Sequence, residues 1–371
     1  MSKELRVIIS GGGTGGHIFP AVSIANAIRT LRPDAKILFI GALGRMEMQR
    51  VPAAGYEIKG LPIRGFLRPL WKPGNIGVAI DYIRSKWQAK KLLQEFKPLV
   101  AVGVGGYASS AALGAANSLG IPTLLQEQNS YAGLANKTLA RNASKICVAY
   151  EGMERFFPAE KIMLTGNPVR QQLLETTVTH DEAVRSFGFD PGKKVVLLLG
   201  GSLGARTINE SVTQHLDLIK TSEVQFVWQT GKYYSSEIAN YMKGQNIPNL
   251  KVVDFITDMG AAYKAADLVV SRAGAGSISE FCLLGKPVIL VPSPNVAEDH
   301  QTKNAMALVN KQAALYVKDS EAPAQLLPLA VSTVNNKNQL HQLNENILKM
   351  ALSDSAIIIA KEVIKLAGHG N

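Results

Sequence analysis

Short apolar runs alternate along the whole chain with longer segments in which apolar residues recur every three or four positions. The short runs suit strands buried on both faces, and the helical repeat between them suits helices that cover a parallel sheet. In the first half the pattern predicts strands over residues 5–10, 36–41, 99–104, 122–126 and 144–149. The helix after the first strand holds Pro20 in its opening turn and an apolar stripe at Ile24, Ile28 and Leu31. The second half repeats the order, with strands expected near 194–199, 225–230, 250–255, 267–271 and 287–291. Alternation of this kind predicts an α/β fold of two Rossmann-like domains facing a cleft. The turn-rich Thr165-Gly-Asn-Pro-Val-Arg170 divides them. Residues 1–165 are expected to form the first domain and 166–353 the second, with a closing helix over 354–367 packing back on the first.

Each half opens on a strand that ends in glycine: Gly11-Gly-Gly-Thr-Gly-Gly-His17, and Gly200-Gly-Ser-Leu-Gly-Ala-Arg206. Such turns bring backbone N–H groups close to a ligand in conformations that a Cβ forbids. Gly11, Gly13 and Gly16 satisfy the dinucleotide spacing G-x-G-x-x-G. That fingerprint also needs an acid at the end of the second strand to hold a ribose diol. Here the strand runs into Ala42-Leu43-Gly44-Arg45, and the first acid, Glu47, lies beyond the strand end. The missing acid argues against an NAD(P) oxidoreductase, although Arg45 leaves an NADP variant open. His17, at the exit of the first loop, is read as a proton-transfer group; the alternative is a helix-start histidine without chemistry.

Further candidates stand at other strand ends. Gly103-Val-Gly-Gly-Tyr107 is a second glycine turn, and Gln126-Glu-Gln-Asn129 is poor strand material but suits sugar hydroxyls. Ser271-Arg-Ala-Gly-Ala-Gly-Ser-Ile-Ser-Glu280 joins a strand end to a helix start whose N–H groups can take phosphate. Glu280 lies about one turn inside, where a carboxylate can hold a ribose diol. Glu298-Asp-His-Gln301 opens another helix.

Composition narrows the partners. Two cysteines in 371 residues, Cys147 and Cys282, form no disulfide framework. Lys3, Glu4 and Arg6 lead straight into a strand, so no secretory leader is expected, and the uncharged stretch from 98 to 126 is too broken by glycine to span a membrane. A formal net charge of +11 points to anionic partners. Without a basic helix carrying base-stacking aromatics, nucleic acid is not expected. The chain has no H-x-x-x-H, C-x-x-C or D-x-D, so no metal site is expected, and no G-x-S-x-G elbow or Walker loop.

The basic residues concentrate between 64 and 91: Arg64, Arg68, Lys72, Arg84, Lys86, Lys90 and Lys91 against one acid, Asp81. Interleaved are Phe66, Leu67, Leu70, Trp71, Ile76, Ile80, Ile83 and Trp87. The last four fall at helical spacing, which suits either a core-facing stripe or an interfacial patch on an anionic membrane surface.

Taken in order, GGTGGHIFPA, GRME, GVGGY, QEQN with AGLANK, GNPVR, GGSLGAR, DFITDM and SRAGAGSISE, with Gln301 and Asn304, resemble the MurG family. The resemblance spans almost the whole chain. It implies a glycosyltransferase-B fold and inverting, metal-independent transfer of N-acetylglucosamine, without a cofactor, from UDP-N-acetylglucosamine to the muramyl 4-hydroxyl of lipid I, the undecaprenyl-linked muramyl-pentapeptide, to give lipid II. It implies a peripheral enzyme on the cytoplasmic face of the bacterial membrane, with cell-wall synthesis proteins as further partners. By position, donor contacts fall on Thr14, Gly15, Gly16, Asn129, Arg170, Ser202, Ile256, Ala275, Gly276, Ser277, Glu280 and Gln301. His17 is the expected base, Glu127 the next candidate, and Tyr107 is expected over the same site. Gly276 stands where the family often has a larger apolar residue, and His300 where a second glutamine can occur.

Overall fold

Among the described residues, seven parallel strands form a first sheet and six parallel strands a second. The computed structural model describes residues 4–65, 74–169, 173 and 176–369. It divides into one unit of Met1–Arg170 with Leu352–Asn371 and another of Gln171–Ala351.

The first unit runs β1 (Arg6–Ser10), α1 (Gly15–Leu31), β2 (Lys36–Ala42), α2 (Glu47–Ala53), β3 (Glu57–Leu61) and α3 (Asn75–Phe96). It continues with β4 (Val100–Gly103), α4 (Tyr107–Ser118), β5 (Thr123–Glu127), α5 (Leu134–Leu139), β6 (Lys145–Val148) and β7 (Ile162–Leu164). Strand order is β3-β2-β1-β4-β5-β6-β7, so the chain builds outward from β1, returns to its other side at β4, and builds outward again. Ser10 at the end of β1 pairs with Ile40 on one side and Gly103 on the other. The loops leaving β1 and β4 therefore diverge at a topological switch point, the usual ligand position in an open parallel sheet.

Period-two geometry sorts the core onto two faces. Ile8, Leu38, Ile40 and Ala101 meet Ala89 and Leu93 of α3 and the alanine-rich face of α4. Val7, Ile9, Phe39 and Val102 meet Ile18, Ile24 and Ile28 of α1. The last helix also packs there, through Ile359, Ala360 and Val363.

The second unit runs α6 (His180–Ser186), β8 (Val195–Leu199), α7 (Arg206–Gln214), α8 (Leu216–Thr221), β9 (Gln225–Gln229), α9 (Ser235–Tyr241), β10 (Leu250–Val253) and α10 (Met259–Ala265). Then follow β11 (Leu268–Ser271), α11 (Ala275–Leu284), β12 (Val288–Leu290), α12 (His300–Val309), β13 (Leu315–Tyr316), α13 (Ala322–Asn335) and α14 (Lys337–Leu348); α15 (Ser355–Ile364) returns to the first unit. Strand order β10-β9-β8-β11-β12-β13 places the second switch point between β8 and β11. The core holds the fully buried Trp228, whose indole N–H donates to Asn209 Oδ1 at 2.9 Å. Asn209 in turn donates to the Thr230 carbonyl at 3.0 Å, so the indole and this amide are both hydrogen-bonded.

Three strands go beyond the sequence pattern: β3, β7 and β13, each the outermost of its side. Edge strands are short and half-solvated, so they lack the continuous apolar run that marks a central strand. The stripe on α3 faces solvent. Ile76, Ile80, Ile83 and Trp87 are exposed, while Val78, Ser85, Ala89 and Leu93 turn inward. The core-facing alternative is thereby excluded for these four residues. Phe66, Leu67, Arg68, Leu70, Trp71 and Lys72 lie outside the described residues. No helix among the described residues is long and apolar enough to cross a membrane.

Candidate active site

In the first unit the candidates gather at the carboxyl ends of β1, β4 and β5. Gly13, Gly105 and Gly106 adopt left-handed backbone with φ of 86°, 97° and 86°, open to glycine at little cost. A Cβ on Gly106 would lie 2.7 Å from the Gly12 carbonyl oxygen, so the two glycine turns are in backbone contact. A Cβ on Gly105 would lie 2.9 Å from His17 Nε2, so the imidazole rests against that residue. His17 Nδ1 lies 2.9 Å from the Gly12 carbonyl oxygen. A carbonyl only accepts, so Nδ1 carries a proton, and in the neutral ring Nε2 is then the nitrogen with the lone pair. The ring is half-buried.

Thr14, Gly15 and Gly16 form the start of α1. No side chain caps this helix and its first turn has no acid, leaving N–H groups able to meet an anion. Tyr107 begins α4, is mostly exposed, and lays its ring against Gly65.

Two carboxylates behave differently from their appearance in the sequence. Glu127 is buried and accepts four hydrogen bonds: from the N–H and side-chain amide of Asn129 at 3.1 and 3.2 Å, Gly133 N–H at 3.0 Å, and Asn136 Nδ2 at 2.8 Å. Those donors fold residues 127–136 around it. Its neighbours Gln126 and Gln128 are also buried, the first donating to Asn167 Oδ1 at 2.9 Å and the second to the Val104 carbonyl at 2.8 Å. Of this quartet only Asn129 is partly exposed.

Glu47 turns back from α2 against the first glycine loop. Fully buried, it accepts from Gly13 N–H at 2.9 Å and Ala42 N–H at 3.0 Å. A Cβ on Gly12 would lie 2.1 Å from its Oε1, and one on Gly41 2.7 Å from its Cγ. Glycine at these positions makes room for a carboxylate, and that carboxylate is spent on backbone, not on a ribose. Sequence reasoning passed over Glu47 as a site residue, although it stands in the GRME segment.

In the second unit the candidates stand at the carboxyl ends of β8, β10, β11 and β12. Ser202 is exposed on the loop after β8, and its carbonyl accepts from Lys232 N–H at 3.2 Å. Gln229 braces this region: its amide donates to the Gly201 carbonyl at 3.0 Å and accepts from Ile256 N–H at 3.0 Å. The Ile256 side chain is buried. Ala275, Gly276 and Ser277 form the first turn of α11, again with no side-chain cap and no acid. A Cβ on Gly276 would meet nothing within 4 Å, so the space above this turn is open. One turn on, buried Glu280 accepts from the Tyr263 hydroxyl at 2.9 Å. Gln301 opens α12 and accepts from Ser293 N–H at 2.9 Å.

Arg272, inside the SRAGAGSISE segment, is a brace: it donates to the Val291 carbonyl at 3.0 Å and to Thr207 Oγ1 at 3.3 Å, and pairs with Asp319. Arg170 lies outside the described residues. Among the described residues no group of three or more His, Cys, Asp or Glu side chains is placed to hold a metal ion.

Comparison with known proteins agrees over both units. Residues 7–148 match the glycosyltransferase family 28 N-terminal domain and 195–358 the family 28 C-terminal domain. Two relatives bear the name UDP-N-acetylglucosamine–N-acetylmuramyl-(pentapeptide) pyrophosphoryl-undecaprenol N-acetylglucosamine transferase. One, from Bacteroides fragilis, is 66% identical over 98% of this chain and 96% of its own; the other, from Bacteroides thetaiotaomicron, is 65% identical over the full length of both. The crystal structure of Acinetobacter baumannii MurG superposes with a TM-score of 0.78 at 27% identity, over 97% of this chain and 99% of that one. A UDP-GlcNAc 2-epimerase from Neisseria meningitidis, 14% identical with a TM-score of 0.66 over 97% and 99%, shares the fold alone. With its two parallel-sheet units in the glycosyltransferase-B fold and with relatives of this identity, the chain belongs to the MurG family of glycosyltransferases.

Proposed function

We propose that His17 is the base with which this chain transfers N-acetylglucosamine from UDP-N-acetylglucosamine to lipid I. The enzyme is an N-acetylglucosaminyltransferase of peptidoglycan synthesis, and its product is lipid II. The observation that carries the base assignment is the 2.9 Å contact from His17 Nδ1 to the Gly12 carbonyl. It fixes the tautomer in which Nε2 accepts a proton, at the mouth of a glycine loop on a sheet's switch point. Nε2 takes the proton of the muramyl 4-hydroxyl as its oxygen bonds to the anomeric carbon. The bond from that carbon to the UDP oxygen breaks on the opposite face, and UDP leaves with the electron pair. The outcome is inversion and a β-1,4 linkage.

The leaving diphosphate gathers charge, and the N–H groups of Ala275, Gly276 and Ser277 with the Ser202 hydroxyl are positioned to receive it. Glu280, oriented by Tyr263, holds the ribose diol, and Ile256 and Gln301 complete the nucleotide site. In this reading the second unit binds UDP-sugar and the first the acceptor, with Thr14, Gly15, Gly16, Asn129 and Arg170 adding donor contacts. Tyr107 offers its exposed phenol to the acceptor. Glu127 holds the loop that presents Asn129: a buried carboxylate already accepting four hydrogen bonds has no lone pair directed at a substrate hydroxyl.

The exposed face of α3 seats the enzyme on the anionic cytoplasmic surface of the membrane, where the lipid tail of the acceptor stays. The experiment for the base is His17→Ala. Turnover is expected to fall ~10²–10⁴-fold while affinity for UDP, measured by calorimetry, stays the same. Turnover near wild type removes His17 from the role.

A further inference from the structure

We infer that Glu47 is a positioning residue for His17, acting through the single peptide group that joins Gly12 to Gly13. The inference rests on His17 as the base. The carbonyl that receives His17 Nδ1–H, at 2.9 Å, belongs to Gly12, and the N–H that donates to Glu47 Oε2, also at 2.9 Å, belongs to Gly13. These are two ends of one amide. Carboxylate, peptide and imidazole thus form a continuous hydrogen-bonded row in which each donor points toward the carboxylate.

Amide resonance makes that row more than a tether. A carboxylate on the N–H side draws positive character onto the nitrogen and pushes electron density onto the carbonyl oxygen. The oxygen becomes a stronger acceptor for Nδ1–H, and the partial charge it presents stabilises the imidazolium formed when Nε2 takes a proton. A serine-protease aspartate does the same work by direct contact with its histidine; here a peptide group stands between.

The surroundings are built for these contacts. Glu47 is fully buried, and its second oxygen is held by Ala42 N–H at 3.0 Å, so the carboxylate is anchored to the end of β2. Four glycines, two of them in the turn after β4, one in the loop after β1 and one in β2, clear the space. Side chains at Gly12 or Gly41 would strike Glu47, one at Gly105 would strike the imidazole, and one at Gly106 would strike the Gly12 carbonyl. A buried carboxylate is costly unless its interactions are strong. Merely closing a glycine turn does not require one.

Glu47 reaches His17 from α2 through the peptide, the turn after β4 brings Gly105 and Gly106 before Tyr107, and α1 carries no other ionisable side chain before Arg29.

The test uses full-length enzyme labelled with ¹⁵N at glycine and histidine, with His17 signals assigned by their loss in His17→Ala. In the wild type the neutral ring is expected in the Nδ1–H tautomer. The Gly13 amide proton should move with pH along the same curve as the His17 ring, and this movement should vanish in His17→Ala. A Gly13 amide that ignores His17, or a neutral ring protonated at Nε2, overturns the inference, and neither reading needs a substitution at Glu47. Glu47→Gln should lower kcat about ten- to a hundredfold, as for other partners that orient a reacting group, with KM for UDP-N-acetylglucosamine unchanged and the tautomer preference weakened. Lost activity with an unaltered His17 spectrum assigns Glu47 to structure alone and also overturns it. If His17→Ala proves fully active, the base assignment falls, while the coupling between Gly13 and His17 is still read directly from the spectra.

Discussion

Replacing Ile83 and Trp87 by serine tests whether the exposed face of α3 binds a membrane surface. The two side chains are 67% and 68% exposed on one face of the helix, one turn apart. Fully burying a large apolar side chain contributes about 1.5–3 kcal/mol. With two-thirds of each still available to a bilayer interface, roughly 1–2 kcal/mol per residue is at stake. Removing both should therefore weaken partitioning by about 2–4 kcal/mol, or about 30- to 700-fold. Folding should hardly notice, since exposed positions away from packed contacts change stability by about 0.5 kcal/mol or less each. The basic side chains of Arg84, Lys86, Lys90 and Lys91 are exposed on the same helix, and each adds about 1 kcal/mol near an anionic surface. Flotation with phosphatidylglycerol-containing and neutral vesicles, at low and high salt, reads both contributions, and a thermal melt checks the fold. Wild type should float with anionic vesicles and be released by salt, and the double variant should stay behind with an unchanged melt. Equal flotation of variant and wild type, or equal binding of wild type to neutral vesicles, refutes the reasoning.

Three further outcomes follow from buried groups in the second unit. Glu280→Ala should weaken UDP binding by about 1.5–3 kcal/mol and Tyr263→Phe, which removes only the orienting hydroxyl, by about 0.5–1.5 kcal/mol; unchanged calorimetric affinity in the first removes the ribose contact. Burial pushes the Lys286 ammonium down to about 8 against the pull of Asp267. Its folded-state value thus lies below the unfolded one, so it carries a stability penalty in full below pH 8, relieved as pH rises toward 10.5. The melting-temperature difference of Lys286→Met relative to wild type should therefore be more positive at pH 7 than at pH 10, and a pH-independent difference contradicts the burial.

The central strands were legible because helices cover both faces of each sheet, which forces runs such as Val195-Val-Leu-Leu-Leu199. β3, with Glu57 and Lys59 on a sheet edge, carries no such run, and β13 is two residues long. Helical spacing in α3 grouped Ile76, Ile80, Ile83 and Trp87 on one face but could not say which way it points. The inward face interrupts Val78 and Leu93 with the small Ser85 and Ala89, so its apolar signature is weaker than that of the exposed stripe. Glycine loops were visible as loops, yet what each glycine admits is tertiary information. Gly12 and Gly41 make way for Glu47, a residue 35 positions from the first of them. In the Gln126–Asn129 quartet, residue type alone cannot separate a sugar ligand from a buried amide that completes its hydrogen bonds through the Val104 carbonyl or Asn167.

The central claim is transfer of N-acetylglucosamine to a lipid-linked muramyl acceptor. Its most direct measurement incubates the purified enzyme with UDP-N-acetylglucosamine, labelled in the sugar, and lipid I, then separates organic-extractable lipid from free nucleotide sugar. Label should enter the lipid fraction as a β-1,4 disaccharide with one UDP released per sugar transferred, and only when lipid I is present. Label that stays in the nucleotide fraction as an epimerised sugar, or that is consumed without lipid I, contradicts it.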